Sequence, residues 1–173
     1  SGSLRVPASF CGLVGLRPTI GLVPTDGVVP LAATYDTVGP LTRTAADASL
    51  MLEALSGRPS GGKADLSGLR LGLLEQLVEA VEPYVADAVL EAARRLEQRG
   101  ARIARVDLAG LSRVPEFQPT IQRTEAAHAH AAWFEDQRDL YSDEVRRRLE
   151  AGRETLAIEY LAAQQARQDL IDE

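Results

Sequence analysis

The sequence is poor in cysteine and histidine, and each shortage excludes a class of protein or site. Cys11 is the only cysteine among 173 residues, so no disulfide can form within the chain. A disulfide-stapled secreted domain is therefore excluded, and a reducing, cytoplasmic location is expected. The two histidines, His128 and His130, lie two positions apart and would point to different faces of a helix, so they cannot chelate one metal together. We expect no metal site and no cofactor.

Positive charge and long apolar runs are also scarce. The formal net charge is -6, which opposes a nucleic-acid surface because phosphate binding requires a positive face. Arg146, Arg147 and Arg148 form the one basic run, and the acidic residues that flank it predict a solvated helix face. No apolar run approaches the ~18 to 20 residues that a membrane-spanning helix needs. We therefore expect neither a nucleic-acid nor a membrane partner.

Proline and glycine are concentrated in residues 1–43, between short apolar runs, which predicts loops and short strands there. Thr44, followed three residues later by Asp47, resembles a capping box and predicts a helix over 45–55 that stops near Gly57. Cys11, a lone thiol, is expected to be a small buried residue rather than a nucleophile.

The second half of the chain shows a change of pattern. A Leu-rich strand over 69–74, a helix opened by Pro83 and a strand over 103–108 predict a parallel strand–helix–strand unit. Helical patterning continues from Thr120, with turns expected near Ser142 and Gly152.

Residues 57–68, rich in Gly, Ser and Pro, contain a spacing that could be mistaken for a phosphate-binding loop. Ala64 stands where the magnesium-binding Ser or Thr would be, and the segment follows a helix instead of a strand. An exposed connection between two parts of one domain is the better interpretation.

The opening Ser1-Gly2-Ser3 is compatible with two interpretations. A small residue directly before a serine lets the backbone approach a substrate and supply amide donors. Ser-Gly-Ser is also what a linker scar looks like. The residues that follow decide between them.

A compound pattern follows Ser3 and resembles the amidase signature family. Over residues 1–56 the motifs have the order and spacing of that family, and looser similarity continues at Glu125-Ala-Ala-His128 and Trp133-Phe134. A linker scar would not continue in this way. The motifs are Ser3-Leu4-Arg5-Val6-Pro7-Ala8, Gly12-Leu13-Val14-Gly15-Leu16-Arg17-Pro18-Thr19, Gly27-Val28-Val29-Pro30 and Asp36-Thr37-Val38-Gly39-Pro40-Leu41-Thr42-Arg43.

The resemblance implies an α/β fold, the central part of an amidase-signature fold with a mixed β-sheet flanked by helices. We expect residues 1–173 to form one incomplete amidase domain. Its parts would be a signature core over 1–56, the exposed connection over 57–68, and a strand–helix–strand and helical region over 69–173. Because the chain begins without Met, we also expect the true start to lie upstream.

The resemblance also implies a mechanism in which Ser3 is the nucleophile. The backbone amides of Ser1, Gly2 and Ser3 would form the oxyanion hole. The family's second serine, held in a cis peptide, and its lysine base map upstream of this chain. Lys63 is therefore assigned to the surface, because its amine should stay protonated in an exposed loop. Without its base Ser3 is a poor nucleophile, so the chain by itself should be inactive.

The implied function is hydrolysis of a small-molecule carboxylic amide through an acyl-enzyme on Ser3, with Arg5 and Arg43 bracing the core and a homo-oligomer possible. Alternatives are the amidase subunit of a tRNA-dependent amidotransferase, a non-catalytic scaffold, and an N-terminal-nucleophile hydrolase in which the α-amine of Ser1 is the base. The region from Gly27 to Pro40 looks more like the free amidases. Substrate identity cannot be deduced from these residues.

Overall fold

The computed structural model describes residues 2–59 and 65–173. Within them, helices dominate and the strands are short. The helices are α1 (Gly2–Phe10), α2 (Ala45–Ser56), α3 (Glu75–Glu79), α4 (Pro83–Gln98), α5 (Val114–Ala129), α6 (Ala131–Phe134), α7 (Asp143–Arg153) and α8 (Ala157–Asp172), and 3-10 turns span Ala109–Arg113 and Arg138–Leu140. The strands are β1 (Val14–Gly15), β2 (Leu41–Thr42), β3 (Arg70–Leu74) and β4 (Arg102–Val106).

The described residues divide into two compact units. The first contains residues 2–59 and 113–172, and the second contains residues 65–112 and Glu173. The expectation of a single domain over residues 1–173 stays a prediction.

In the first unit, β1 and β2 pair in antiparallel fashion, with Val14 opposite Thr42 and Gly15 opposite Leu41. Helix α2 begins where the sequence predicts, since the hydroxyl of Thr44 accepts a hydrogen bond from the backbone N–H of Asp47 at 3.1 Å. It ends at Gly57, whose φ of 65° is left-handed, as is usual for a glycine after a helix.

Helix α5 packs against α7 and α8, and these contacts contain the core of the first unit. Phe117, Ile121 and Ala163 form one buried cluster. A second cluster joins Ala126, Phe134 and Leu149. The turn expected near Gly152 is wrong by about one turn, because Gly152 lies inside α7. A Cβ there would come within 2.0 Å of the Arg123 carbonyl oxygen, so only glycine allows this approach to α5.

The second unit is the predicted parallel strand–helix–strand unit. Strands β3 and β4 run parallel, with Leu71 opposite Ile103, and α3 and α4 lie between them in the chain. The Gln76 side chain closes this unit by donating to the Leu108 carbonyl and accepting from the Leu108 N–H, both at 2.8 Å. The α/β class is confirmed, with one parallel and one antiparallel strand pair among the described residues.

Candidate active site

Ser3 lies in the first turn of α1, where the sequence predicts a loop; that prediction is wrong. The helix contains Gly2 and Pro7, which are poor helix formers, so contacts outside the helix must stabilise it. One such contact is with β1. The buried Ala8 faces Gly15, where an added Cβ would meet the Leu4 carbonyl oxygen at 2.6 Å and the Ala8 Cβ at 2.7 Å.

The start of α1 can stabilise negative charge. The first N–H groups of a helix have no partner within it, and its N-terminus carries a partial positive charge. Gly2 and Ser3 are both exposed, so their amides are open to a ligand. Pro7 has no N–H, so the carbonyl of Ser3, four residues earlier, receives no helical hydrogen bond from it.

A cavity of about 780 Å³ opens beside Ser3, within the first unit. Its walls come from the start of α1, the loop between β1 and β2, and helices α5 and α8. The described lining contains no lysine or histidine, so it offers no ordinary base for Ser3. The lining residues are Gly2, Ser3, Leu4, Arg5, Thr25, Val28, Val29, Leu31, Ala32, Tyr35, Asp36, Thr37, Val38, Val114, Phe117, Gln118, Gln122, Arg167, Leu170 and Ile171.

The charged groups of this lining are Arg5, Asp36 and Arg167. Asp36 shapes the loop, because its Oδ2 accepts hydrogen bonds from the backbone N–H groups of Leu31 at 2.8 Å and Ala32 at 3.1 Å. Its carboxylate is thus committed to the loop backbone, in the manner of an Asx turn.

Glu125 holds the same loop from the side of α5. Its Oε2 accepts from the Thr34 backbone N–H at 2.9 Å, and its Oε1 accepts from the Thr34 hydroxyl at 2.7 Å. From α8, the Tyr160 hydroxyl donates to Oε1 at 2.9 Å and Gln164 donates at 3.3 Å. Arg167 completes the network by donating from Nη2 to the Thr34 carbonyl at 3.2 Å. The loop wall of the cavity is therefore fastened to both helices.

Two tyrosines beside this network have raised pKa values. Burial is the main cause for Tyr35, and the Glu125 carboxylate adds to it, whereas the Arg167 guanidinium partly offsets it. Burial is also the main cause for Tyr160. The Tyr35 hydroxyl is buried and has no hydrogen-bond partner among the described residues.

The structure brings Gly2 and Ser3 together at the cavity, whereas Ser1 and Lys63 lie outside the described residues. Arg5 is exposed, and it makes no hydrogen bond or ion pair within the described chain; the same is true of Arg43. Their bracing role stays a prediction without support from these contacts.

Three further sequence expectations concern residues away from the cavity. Cys11 is exposed, so the prediction that it is buried is wrong; it follows the last residue of α1, Phe10, which is itself 88% exposed. His128 is exposed, and the Nδ1 of His130 lies 2.9 Å from the Tyr141 hydroxyl. No cluster of candidate metal ligands occurs in the part of the chain that the structure describes.

The basic run on α7 is a solvated face, as expected. Arg146 pairs with Asp143 and Arg148 pairs with Glu144, both on the same helix. None of the described helices is both long and apolar enough to cross a membrane.

Sequence reasoning missed Glu125 as a loop anchor and Arg167 as a lining residue. Asp36 belongs to a quoted motif, but nothing in that motif indicates which atoms it binds. Arg167 reaches the loop from 133 positions away, and no short-range spacing carries that information.

The whole chain matches a known family. A sequence model of the family described as Amidase matches residues 1–173. The chain belongs to the amidase family. The resemblance to the amidase signature family in Ser3–Arg43 is thereby confirmed as to family.

Relatives of this amidase-family chain include enzymes of two kinds by name. A protein of Rubrobacter xylanophilus, named as a subunit of glutamyl-tRNA(Gln) amidotransferase, is 40% identical over 124 residues, which are 62% of this chain and 26% of that protein. A crystal structure described as amidase has a TM-score of 0.84 at 30% identity and covers 98% of this chain and 39% of its own. The corresponding glutamyl-tRNA(Gln) amidotransferase protein of Thermotoga maritima has a TM-score of 0.73 at 33% identity and covers 99% and 41%.

The amidase-family chain thus spans about a quarter to two-fifths of the length of these relatives. The overlay on solved amidases confirms the predicted fold class.

Proposed function

We propose that Ser3 is the nucleophile of an amide hydrolase in the full-length protein that contains this chain. The observation that carries the proposal is the position of Ser3 in the first turn of a helix, at the wall of a cavity about 780 Å³ in volume. The family assignment supports it, because the nucleophile motif lies within the matched residues.

The proposed reaction has two steps. The Ser3 oxygen bonds to the amide carbonyl carbon while its proton passes to a base, and collapse of the tetrahedral intermediate breaks the C–N bond and releases the protonated amine. Water then cleaves the acyl-serine ester to give the carboxylic acid. The resemblance assigns the base to a lysine and the relay to a serine, both outside this chain, so residues 1–173 alone should be inactive.

The backbone amides at the start of α1 stabilise the oxyanion in this proposal. Gly2 and Ser3 supply two of them, and Ser1, outside the described residues, would supply a third. Loss of one oxyanion donor typically slows a hydrolase by about 10² to 10³-fold. The partial positive charge of the helix start acts in the same direction.

The test is covalent labelling and amide hydrolysis with the full-length protein. Ser3→Ala should abolish labelling by phenylmethanesulfonyl fluoride and reduce hydrolysis by at least about 10³-fold. Ser9→Ala, on the exposed face of the same helix, is the matched control and should retain both. Retained hydrolysis in Ser3→Ala, or an adduct mapped by mass spectrometry to another residue, would contradict the proposal.

A second candidate is the amidase subunit of a tRNA-dependent amidotransferase, which would release ammonia from glutamine for a partner protein. The names of the Rubrobacter xylanophilus and Thermotoga maritima relatives favour it. Hydrolysis of simple amides by the purified full-length protein supports the free amidase, whereas glutamine hydrolysis only in the presence of partner proteins supports the second candidate. A cytoplasmic location and a homo-oligomer stay predictions.

A further inference from the structure

Arg167 is a guanidinium in the wall of the Ser3 cavity with no acidic partner in the described ranges. We propose that it determines specificity by binding an anionic group, such as a carboxylate, on the amide substrate. This inference rests on the function proposed for Ser3. It adds a class of substrate, namely amides whose acyl part carries a negative charge.

The first argument is placement. Arg167 lies on α8 and is half-buried, and it lines the same cavity as Ser3 although it is far from Ser3 in the sequence. A partly desolvated charge interacts more strongly with a ligand than an exposed one, because less water screens it.

The second argument is that the positive charge is not neutralised. Glu125 is the carboxylate of the same hydrogen-bond network, but its oxygens accept from Thr34, Tyr160 and Gln164, which are all neutral. Asp36 is the one carboxylate of the described lining, and its Oδ2 is occupied by two backbone N–H groups.

The third argument is orientation. The guanidinium of Arg167 lies over the Tyr35 ring, with 4.6 Å from Cζ to the ring centroid, and donates once to the Thr34 carbonyl at 3.2 Å. Stacking and one fixed hydrogen bond restrict the side chain while its other N–H groups remain for a ligand. Such a planar fork binds a carboxylate through two parallel hydrogen bonds.

The rest of the lining has the same electrical sign. Arg5 adds a second positive charge, and the start of α1 adds a partial one. With Asp36 as the only opposing charge of the described lining, the cavity favours an anion.

The experiment compares two amides of the same chain length with the full-length enzyme. Succinamate carries a carboxylate where butyramide carries a methyl group. Wild type should prefer succinamate. Arg167→Met should lower kcat/KM for succinamate by about tenfold to hundredfold, mainly through KM, and leave butyramide within about twofold.

Arg153→Met is the matched control. Arg153 also stacks on an aromatic ring, 5.5 Å from the Phe134 centroid, but it pairs with Glu135 and does not line the described cavity. Its substitution should leave the preference unchanged. If Arg167 only latches the loop, Arg167→Met will reduce both substrates equally, and the inference fails. It also fails if wild type has no preference.

Two measurements keep the inference testable if Arg167→Met does not fold or neither amide turns over. Arg167→Lys keeps the charge but loses the fork, so it should retain only part of the preference; full retention argues against bidentate binding. In wild type, succinate should protect Ser3 from sulfonylation at a concentration at least about tenfold lower than butyrate. Equal protection, or none, overturns the inference. Hydrolysis that survives Ser3→Ala would instead refute the proposed function itself.

Discussion

The carboxylate of Glu125 grips Thr34, 91 residues earlier in the chain, by both its backbone N–H and its hydroxyl. These bonds, at 2.9 and 2.7 Å, join helix α5 to the loop that forms one wall of the Ser3 cavity. A side chain that orders a binding wall in this way stabilises both the fold and the ligand site.

Replacing Glu125 by Gln should lower the free energy of unfolding by about 1 to 3 kcal/mol. The new amide nitrogen would face a donor where an oxygen now accepts. Urea unfolding measures the change. Glu116→Gln is the control, because Glu116 lies on the same helix with 69% of its side chain exposed and should change stability by less than about 0.5 kcal/mol. Equal losses in the two variants would show that the Thr34 contacts contribute nothing.

The two tyrosines near Glu125 should respond in opposite directions to replacement by Phe. Tyr35→Phe removes a buried hydroxyl that has no partner in the described chain, and should raise the unfolding free energy by about 1 kcal/mol. Tyr160→Phe removes a donor to Glu125 and should lower it by about 1 to 2 kcal/mol. Thermal unfolding distinguishes them. A shift of the same sign in both variants would contradict the assignment.

The raised pKa values of Tyr35 and Tyr160 predict a loss of stability at alkaline pH. A folded-state pKa above the unfolded value means that the folded protein retains protons that the unfolded chain releases. Stability is therefore full below pH about 10, the ordinary tyrosine value, and falls as pH rises through the folded pKa. Urea titrations at increasing pH measure this slope. It should be shallower in the Tyr35→Phe/Tyr160→Phe double variant, and an unchanged slope would assign it to other groups.

Gly15→Ala should destabilise the protein by at least about 1 to 3 kcal/mol and reduce the activity proposed for the full-length protein. The added Cβ would lie 2.6 Å from the Leu4 carbonyl oxygen, so α1 and its Ser3 must move. Gly72→Ala is a graded control, because its nearest contact, at 3.0 Å, is a methyl group of Val106 that can shift. Activity retained in Gly15→Ala would indicate that Ser3 does not depend on this contact.

Thr44→Ala should cost about 1 kcal/mol, because it leaves the Asp47 N–H at the start of α2 without its hydroxyl acceptor. Thr44→Ser keeps that acceptor and should restore most of the loss. Unfolding of both variants by urea gives the comparison. Equal stability of the Ala and Ser variants would mean that water replaces the cap without cost.

Local signals predicted the elements whose ends are set by local bonds. Thr44 and Gly57 bound α2 because a cap and a left-handed residue act within one helical turn. Pro83 likewise marks the start of α4. The strand–helix–strand unit followed from alternating apolar runs and turn residues of the same short range.

Features that depend on distant contacts were not predictable in this way. Helix α1 was missed because Gly2 and Pro7 argue against a helix, whereas packing of Ala8 on Gly15 supports it. Gly152 was interpreted as a turn, although it provides close approach of α7 to α5. The nucleophile could be proposed from a motif, but the cavity beside it required α8, more than a hundred residues away.

The contact of α1 with Gly15 separates two properties that many sites combine. Backbone against backbone sets where Ser3 stands, and no side chain of the cavity takes part in that contact. Which molecule is held there depends on the loop and on α8, which can vary without moving the serine. A scaffold organised like this can exchange one amide for another during evolution while the place of bond cleavage stays fixed.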